Sequence, residues 1–175
     1  MKTESVIFVE EYEINPYTLA ILPYYEDGEL YSRIIEVDQE FICPMKPTDI
    51  VKRTCELFGS DYEGRRGATR SMTGYTHKAP IEIEKMFSIF VFPTTSPDRN
   101  ECIWVSAMQV EKYEKSNSTE VIVTFINKRQ LSMPVSHGTF ETQVARSAIL
   151  KSKLDQKIAE TKRRYKLKDD KDNLI

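Results

Sequence analysis

The alternation of apolar and polar positions divides the chain into short strands, one short helix and one long helix. Val6 to Val9 reads as a short strand, and Tyr17 to Leu22 as a better one that Pro23 ends. Glu26-Asp27-Gly28-Glu29 is a turn, since Asp-Gly adopts positive φ at little cost, and Leu30 to Val37 returns as the hairpin partner. Phe41 to Cys43 is a further apolar piece before Pro44. Farther on, Val121, Val123 and Phe125 alternate with Glu120, Ile122 and Thr124, the period of a sheet with one well-buried face. Cys102 to Val105, Met108 to Tyr113, Thr119 to Ile126 and Gln130 to Met133 together predict a meander, with turns at Ser116-Asn117-Ser118 and Asn127-Lys128. Ile81 to Ile83 and Phe87 to Phe92 add two strands, and Ser71 to Thr76 another that Ala79-Pro80 breaks.

Two stretches have helical spacing instead. Thr48 is placed as an N-cap, and Ile50, Val51, Thr54, Leu57 and Phe58 share one face before Gly59 stops the helix. Asp49, Lys52, Arg53 and Glu56 form its polar face, where Lys52 and Glu56 are spaced to pair. Phe140, Val144, Ser147, Ala148, Leu154 and Ile158 predict a second helix from about residue 140 to 163, capped by Thr139. Its basic side leaves three readings open: a phosphate-contacting surface, a dimer face, or a core helix with solvated charges. These elements predict an α+β fold: a mainly antiparallel sheet, open or partly closed, packed with a short central helix and a long C-terminal helix. Residues 1–164 are expected to form one domain, and 165–175 a short charged tail that frays.

Composition narrows the class. The chain has 175 residues, 40% of them hydrophobic and 30% charged, enough for a core without disulfide or metal staples. Met1-Lys2-Thr3-Glu4 does not open a signal peptide, and no apolar run is long enough to span a membrane, so a cytoplasmic protein is expected. Cys43, Cys55 and Cys102 are odd in number and far apart, which predicts reduced thiols. His77 and His137 fall in no metal spacing, no arrangement nominates a catalytic nucleophile, and no nucleotide-binding loop is present. No catalytic residue, metal or cofactor is expected.

Net charge is only −2, but it is unevenly spread. Residues 1–41 carry ten acids against Lys2 and Arg33, whereas Gln143 to Lys168 carry nine bases against Asp155 and Glu160. Such asymmetry suits a local grip on a polyanion, or two subunits attracting each other head to tail. The most suggestive stretch is Phe58 to Lys78, whose glycine-flanked basic part before Ser71 reads as a loop. Gly64-Arg65-Arg66-Gly67 brackets two arginines with glycines, and from Gly64 to Lys78 there are four bases and no acid. Arg65, Arg66 and Arg70 are the leading candidates for DNA contact, with Lys52, Arg53, His77 and Lys78 in support. Tyr62 and Tyr75 are neighbours able to stack on bases if exposed. A solvated, flexible loop is the plain alternative.

Several blocks, co-linear over roughly residues 10 to 160, resemble the competence transcription factor (ComK) family. They are Met45-Lys46-Pro47, Phe58-Gly59-Ser60 with Tyr62, Gly64 and Arg65, His77-Lys78 with Pro80-Ile81, Phe90 with Phe92-Pro93-Thr94, Trp104 with Ser106, and Phe140-Glu141 with Gln143-Val144. The resemblance implies a nucleoid-associated transcriptional activator of bacterial DNA-uptake genes. It implies binding to paired A/T-rich boxes of double-stranded DNA through the minor groove, as dimers that assemble into tetramers. Family members are also handed by an adaptor to an ATP-dependent protease through an apolar segment in a longer tail. The tail after Arg164 shows no such segment, which counts against carrying that partner over. The rival expectation is a divergent paralogue that no longer binds DNA and titrates a regulatory partner as a protein-interaction module.

Overall fold

The computed structural model describes the backbone of residues 5–172 and the side chains of residues 5–166. In chain order the elements are β1 (Val6–Phe8), β2 (Thr18–Glu26), β3 (Glu29–Glu36), β4 (Glu40–Cys43), α1 (Pro47–Leu57), α2 (Tyr62–Thr73), β5 (Ile81–Glu84), β6 (Ile89–Pro93), β7 (Trp104–Ser106), β8 (Val110–Asn117), β9 (Glu120–Phe125), β10 (Gln130–Met133) and α3 (His137–Asp172). The fold is α+β. Seven strands form one sheet in the order β1-β4-β3-β2-β7-β6-β5, and β10-β9-β8 form a second. All pairings are antiparallel except β1 with β4, and the large sheet stays open, with β1 and β5 as its edges.

Alternation along the central strands sorts side chains to two faces. Ile21, Ile34, Ile89, Val91 and Trp104 join one apolar cluster with Ile50, Val51 and Cys55 of α1 and Tyr62 of α2. Leu19, Ile35, Phe90, Phe92, Ile103 and Val105 join another with Val121, Val123 and Phe125 of the small sheet and Phe140 and Leu150 of α3. The large sheet is thus the middle layer, covered by α1 and α2 on one side and by the small sheet and α3 on the other. Every residue of β6 is buried, as a strand covered on both faces should be.

Several boundaries differ from the sequence pattern, each for a local reason. The meander divides, because a 3-10 turn at Ala107–Gln109 sends the chain from β7 in the large sheet to β8 in the small one. Pro23 does not end β2. Beyond Ile21 that strand pairs only with β3, so its other side asks for no ladder hydrogen bond. Asp27 and Gly28 make the expected turn with φ of 49° and 81°. Thr48 lies inside α1 instead of capping it. Its hydroxyl donates to the Pro97 carbonyl at 2.9 Å and accepts from Trp104 Nε1 at 3.0 Å.

Ser136, not Thr139, caps α3, accepting from the Thr139 N–H at 3.2 Å. That helix also passes its expected end and continues to Asp172; residues 173–175 of the predicted frayed tail lie outside the described residues. No helix among the described residues is long and apolar enough to cross a membrane.

Candidate nucleic-acid interface

The stretch expected as a basic loop is mostly a helix. Asp61 starts α2 in an extended conformation (φ −138°, ψ 162°), and its carboxylate accepts the Gly64 N–H. Glu63 occupies the first turn and Arg70 the last, both suited to the helix dipole. Gly74 ends the helix in the left-handed region (φ 80°), where glycine pays no Cβ penalty, and its N–H bonds the Arg70 carbonyl at 2.8 Å. The predicted strand Ser71 to Thr76 is therefore the last turn of α2 and the loop after it. Gly64 and Gly67 resemble a loop in sequence, but the caps on both sides and an inward stripe of Tyr62, Arg65 and Thr69 outweigh their weak helix propensity.

The inward face is fixed to the sheet. Arg65 pairs with Glu82 of β5 at 3.2 Å, with side chains only 25% and 12% exposed. It also donates to Ser60 Oγ at 2.9 Å and reaches the Ile83 carbonyl at 3.5 Å. Burial pushes the Glu82 carboxyl above its ordinary range, and the Arg65 guanidinium draws it part of the way back. Thr69 donates to the Pro80 carbonyl at 2.7 Å. Tyr62 is buried against Trp104, edge to face at 6.2 Å, so it is no base-stacking platform. Burial pushes its hydroxyl up to about 12, against the opposing pull of Arg66.

The outward face is open. Arg66 makes an exposed pair with Glu63 at 3.2 Å. Its guanidinium also lies 5.7 Å from the Tyr62 ring centre, where Lys52 Nζ approaches at 5.8 Å. One turn on, Arg70 is exposed and its side chain has no partner among the described residues. Lys52, Arg66, His77 and Lys78 line one cleft of 390 Å³ together with Thr48, Tyr62 and the Ser96–Asp98 loop. A smaller hollow between Arg66, Arg70 and Tyr75 continues it. Two acids, Glu63 and Asp98, also line the cleft, so it is basic without being purely cationic.

The seven candidate residues therefore separate. Lys52, Arg66, His77 and Lys78 meet in one cleft and Arg70 borders it. Arg65 turns inward, and Arg53 leaves the other side of α1 to pair with Glu11 at 2.8 Å. His77 accepts or donates at Nδ1 to Thr76 Oγ1 at 2.9 Å, and Lys78 takes a left-handed backbone (φ 50°). The backbone carbonyls of both are held by α3: Arg146 Nη1 donates to His77 at 3.0 Å and Gln143 Nε2 to Lys78 at 2.8 Å.

Sequence reasoning had not linked Arg146 to this site. Its guanidinium lies 4.7 Å from the Tyr75 ring centre, a contact across about 70 residues with no local signature. The three cysteines are buried thiols, with Cys55 and Cys102 pushed up to about 11 by burial. Among the described residues, no group of three or more His, Cys, Asp or Glu side chains is arranged to hold a metal ion.

Comparison with known proteins agrees with the resemblance. Residues 9–159 match the family model described as ComK protein. The chain is similar to the competence transcription factor of Bacillus subtilis (strain 168), at 41% identity over 157 residues, covering 90% of this chain and 81% of that one. No solved structure matches. With the family model spanning most of its length, the chain belongs to the ComK protein family.

Proposed function

We propose that this protein is a DNA-binding regulator of competence gene transcription that reads A/T-rich boxes through the minor groove. The observation that carries the reading is the outward face of α2, where Arg66 and Arg70 stand one turn apart beside the cleft of Lys52, His77 and Lys78. Membership of the family and similarity to a protein named competence transcription factor support the regulatory role.

The helical form of α2 changes how the groove would be met. A helix is about 10–12 Å across, too wide for a minor groove of about 6 Å. The helix therefore lies across the groove mouth while Arg66 and Arg70 reach in. A/T tracts narrow the groove and deepen its negative potential, which favours inserted arginine. Gly67, between the two arginines, has no atom near the place of a Cβ, so the helix backbone can sit close to the sugar–phosphate walls. Lys52, His77 and Lys78 hold flanking phosphates. Arg65 and Arg53 act through position, the first by fastening α2 and the second by tying α1 to Glu11. Dimers pairing into tetramers would match the paired boxes.

Fluorescence anisotropy at physiological salt tests the reading with three duplexes: an A/T-box site, a G/C-rich site, and the box with I·C replacing A·T. The I·C pair keeps the minor-groove pattern of A·T and changes the major groove. The expected ranking is A/T box and I·C box alike, both well above G/C. Loss of binding on the I·C duplex points to the major groove, and equal binding to all three removes sequence reading altogether.

A further inference from the structure

The distal part of α3 has no place in the site described so far. The helix is 36 residues long, about 54 Å at about 1.5 Å per residue. Its anchored half carries Phe140, Val144, Leu150 and Leu154 into the core or against it. After Ile158 burial stops, and every residue from Ala159 to Lys166 is exposed.

This projecting segment is strongly and uniformly charged. Between Lys157 and Lys166 there are five bases and one acid, Glu160. None of Lys162, Arg163, Arg164 or Lys166 has an ion-pair partner among the described residues. Lys162 and Lys166 are four apart and Arg163 and Lys166 three apart, spacings at which like charges repel along a helix. Glu160, three and four residues before Arg163 and Arg164, is the one acid of the segment, and among the described residues no ion pair neutralises these bases. Nor is it built to dock on an apolar surface: from 159 to 166 only Ala159 and Tyr165 are apolar or aromatic, too few for a coiled-coil seam. A polyanion removes the repulsion and needs no apolar contact.

We infer that the distal part of α3 is a second, sequence-independent DNA contact that grips backbone phosphates beyond the boxes. The inference rests on the DNA-binding reading above. Arg146 ties the near end of this helix to the cleft, at the His77 carbonyl and the Tyr75 ring. Arg163 lies 17 residues farther along (163 − 146), about 26 Å at about 1.5 Å per residue, or roughly seven to eight base pairs at about 3.4 Å each. Contacts of this kind set affinity and salt dependence and carry no sequence information.

The test compares the whole protein with the variant Lys162→Gln/Arg163→Gln/Arg164→Gln/Lys166→Gln, its helix content checked by circular dichroism. Two duplexes are used, one ending at the boxes and one with flanks of about ten base pairs on each side. On the flanked duplex the variant should lose at least about tenfold in affinity, and the slope of log affinity against log salt should fall by roughly 2–4, about one per lost contact. On the short duplex the two proteins should bind within about twofold of each other, and preference for A/T over G/C should be unchanged. A control, Lys112→Gln/Lys115→Gln at two exposed positions of β8, removes charge elsewhere and should leave the slope as it is.

Unchanged affinity and slope on the flanked duplex overturn the inference, as does an equal slope change in the control. So does a variant that keeps its salt slope but changes mass in light scattering, which would make the arm a contact with another protein surface. Failure of the unmodified protein to prefer the A/T box is a separate result, and overturns the DNA reading itself.

Discussion

The two faces of α2 carry the same residue type for opposite purposes. Arg65 points inward, three-quarters covered, and its guanidinium spans Glu82, Ser60 and the Ile83 carbonyl. Arg66 points outward, and Glu63 and the Tyr62 ring hold it at the mouth of the cleft. One hundred degrees of helix rotation separates a fastening from a contact. The two glycines differ as well, though both are exposed, because one lies against the helix cap. A Cβ on Gly64 would sit 2.9 Å from Asp61 Oδ1, against the helix cap, whereas a Cβ on Gly67 meets nothing. The inward face of the helix is buried and paired through Tyr62, Arg65 and Thr69, and the outward face is open, which is what a rigid element presenting arginines to a partner requires.

Breaking the inward face should have the largest effect on stability. Arg65→Ala leaves the half-buried Glu82 carboxyl without its partner, and is expected to cost about 2–4 kcal/mol, a fall of roughly 5–15 °C in Tm. The cost should depend on pH. Burial already holds the Glu82 carboxyl above its ordinary value, and removal of Arg65 lifts it further. A carboxyl with a raised folded-state pKa favours the fold while protonated and loses that contribution as pH rises through it. The deficit of Arg65→Ala should therefore widen from about pH 4.5 toward neutrality, as urea titrations at several pH values will show. A flat deficit would mean that Glu82 is not the group left stranded.

The cap is next in size. Asp61→Ala should cost about 1 kcal/mol, and Gly64→Ala a comparable amount because its Cβ displaces the same carboxylate. Gly67→Ala should do the reverse, stabilising the helix by up to about 1 kcal/mol while weakening DNA binding, because the outward backbone can no longer approach as closely. A Gly67→Ala protein that is more stable and binds DNA equally well would show that close approach is not used. Arg66→Ala is expected to shift stability least, within about 0.5 kcal/mol, since its pair with Glu63 is exposed.

Much of this was legible from residues alone. The alternation of Val121, Val123 and Phe125 and the Asp27-Gly28 turn reappear in the fold, and the apolar face of α1 does so in part: Ile50, Val51 and Thr54 are buried, Cys55 joins them, and Leu57 and Phe58 at the helix end are exposed. The basic stretch was legible in composition and misread in form. Two glycines and three arginines imitate a loop, and the deciding signals were Asp61 before the stretch and Gly74 after it. Which arginine faces in could be read only once the stretch was a helix. Periodicity then places Arg65 with Tyr62 and Thr69, and Arg66 with Arg70. The division of the strands between two sheets, the capture of the His77 and Lys78 carbonyls by α3, and the Arg146–Tyr75 contact rest on long-range packing, which local pattern does not encode.

The most direct test of the central claim is the salt dependence of binding to an A/T-box duplex, measured for the unmodified protein, for Arg66→Gln/Arg70→Gln and for Arg65→Gln at a temperature where all three are folded. The outward pair should lower both affinity and preference for A/T over G/C, and reduce the salt slope by about two. Arg65→Gln should lose stability and keep the slope. If Arg65→Gln reduces the slope and the outward pair leaves it unchanged, the faces of α2 have been assigned the wrong way round.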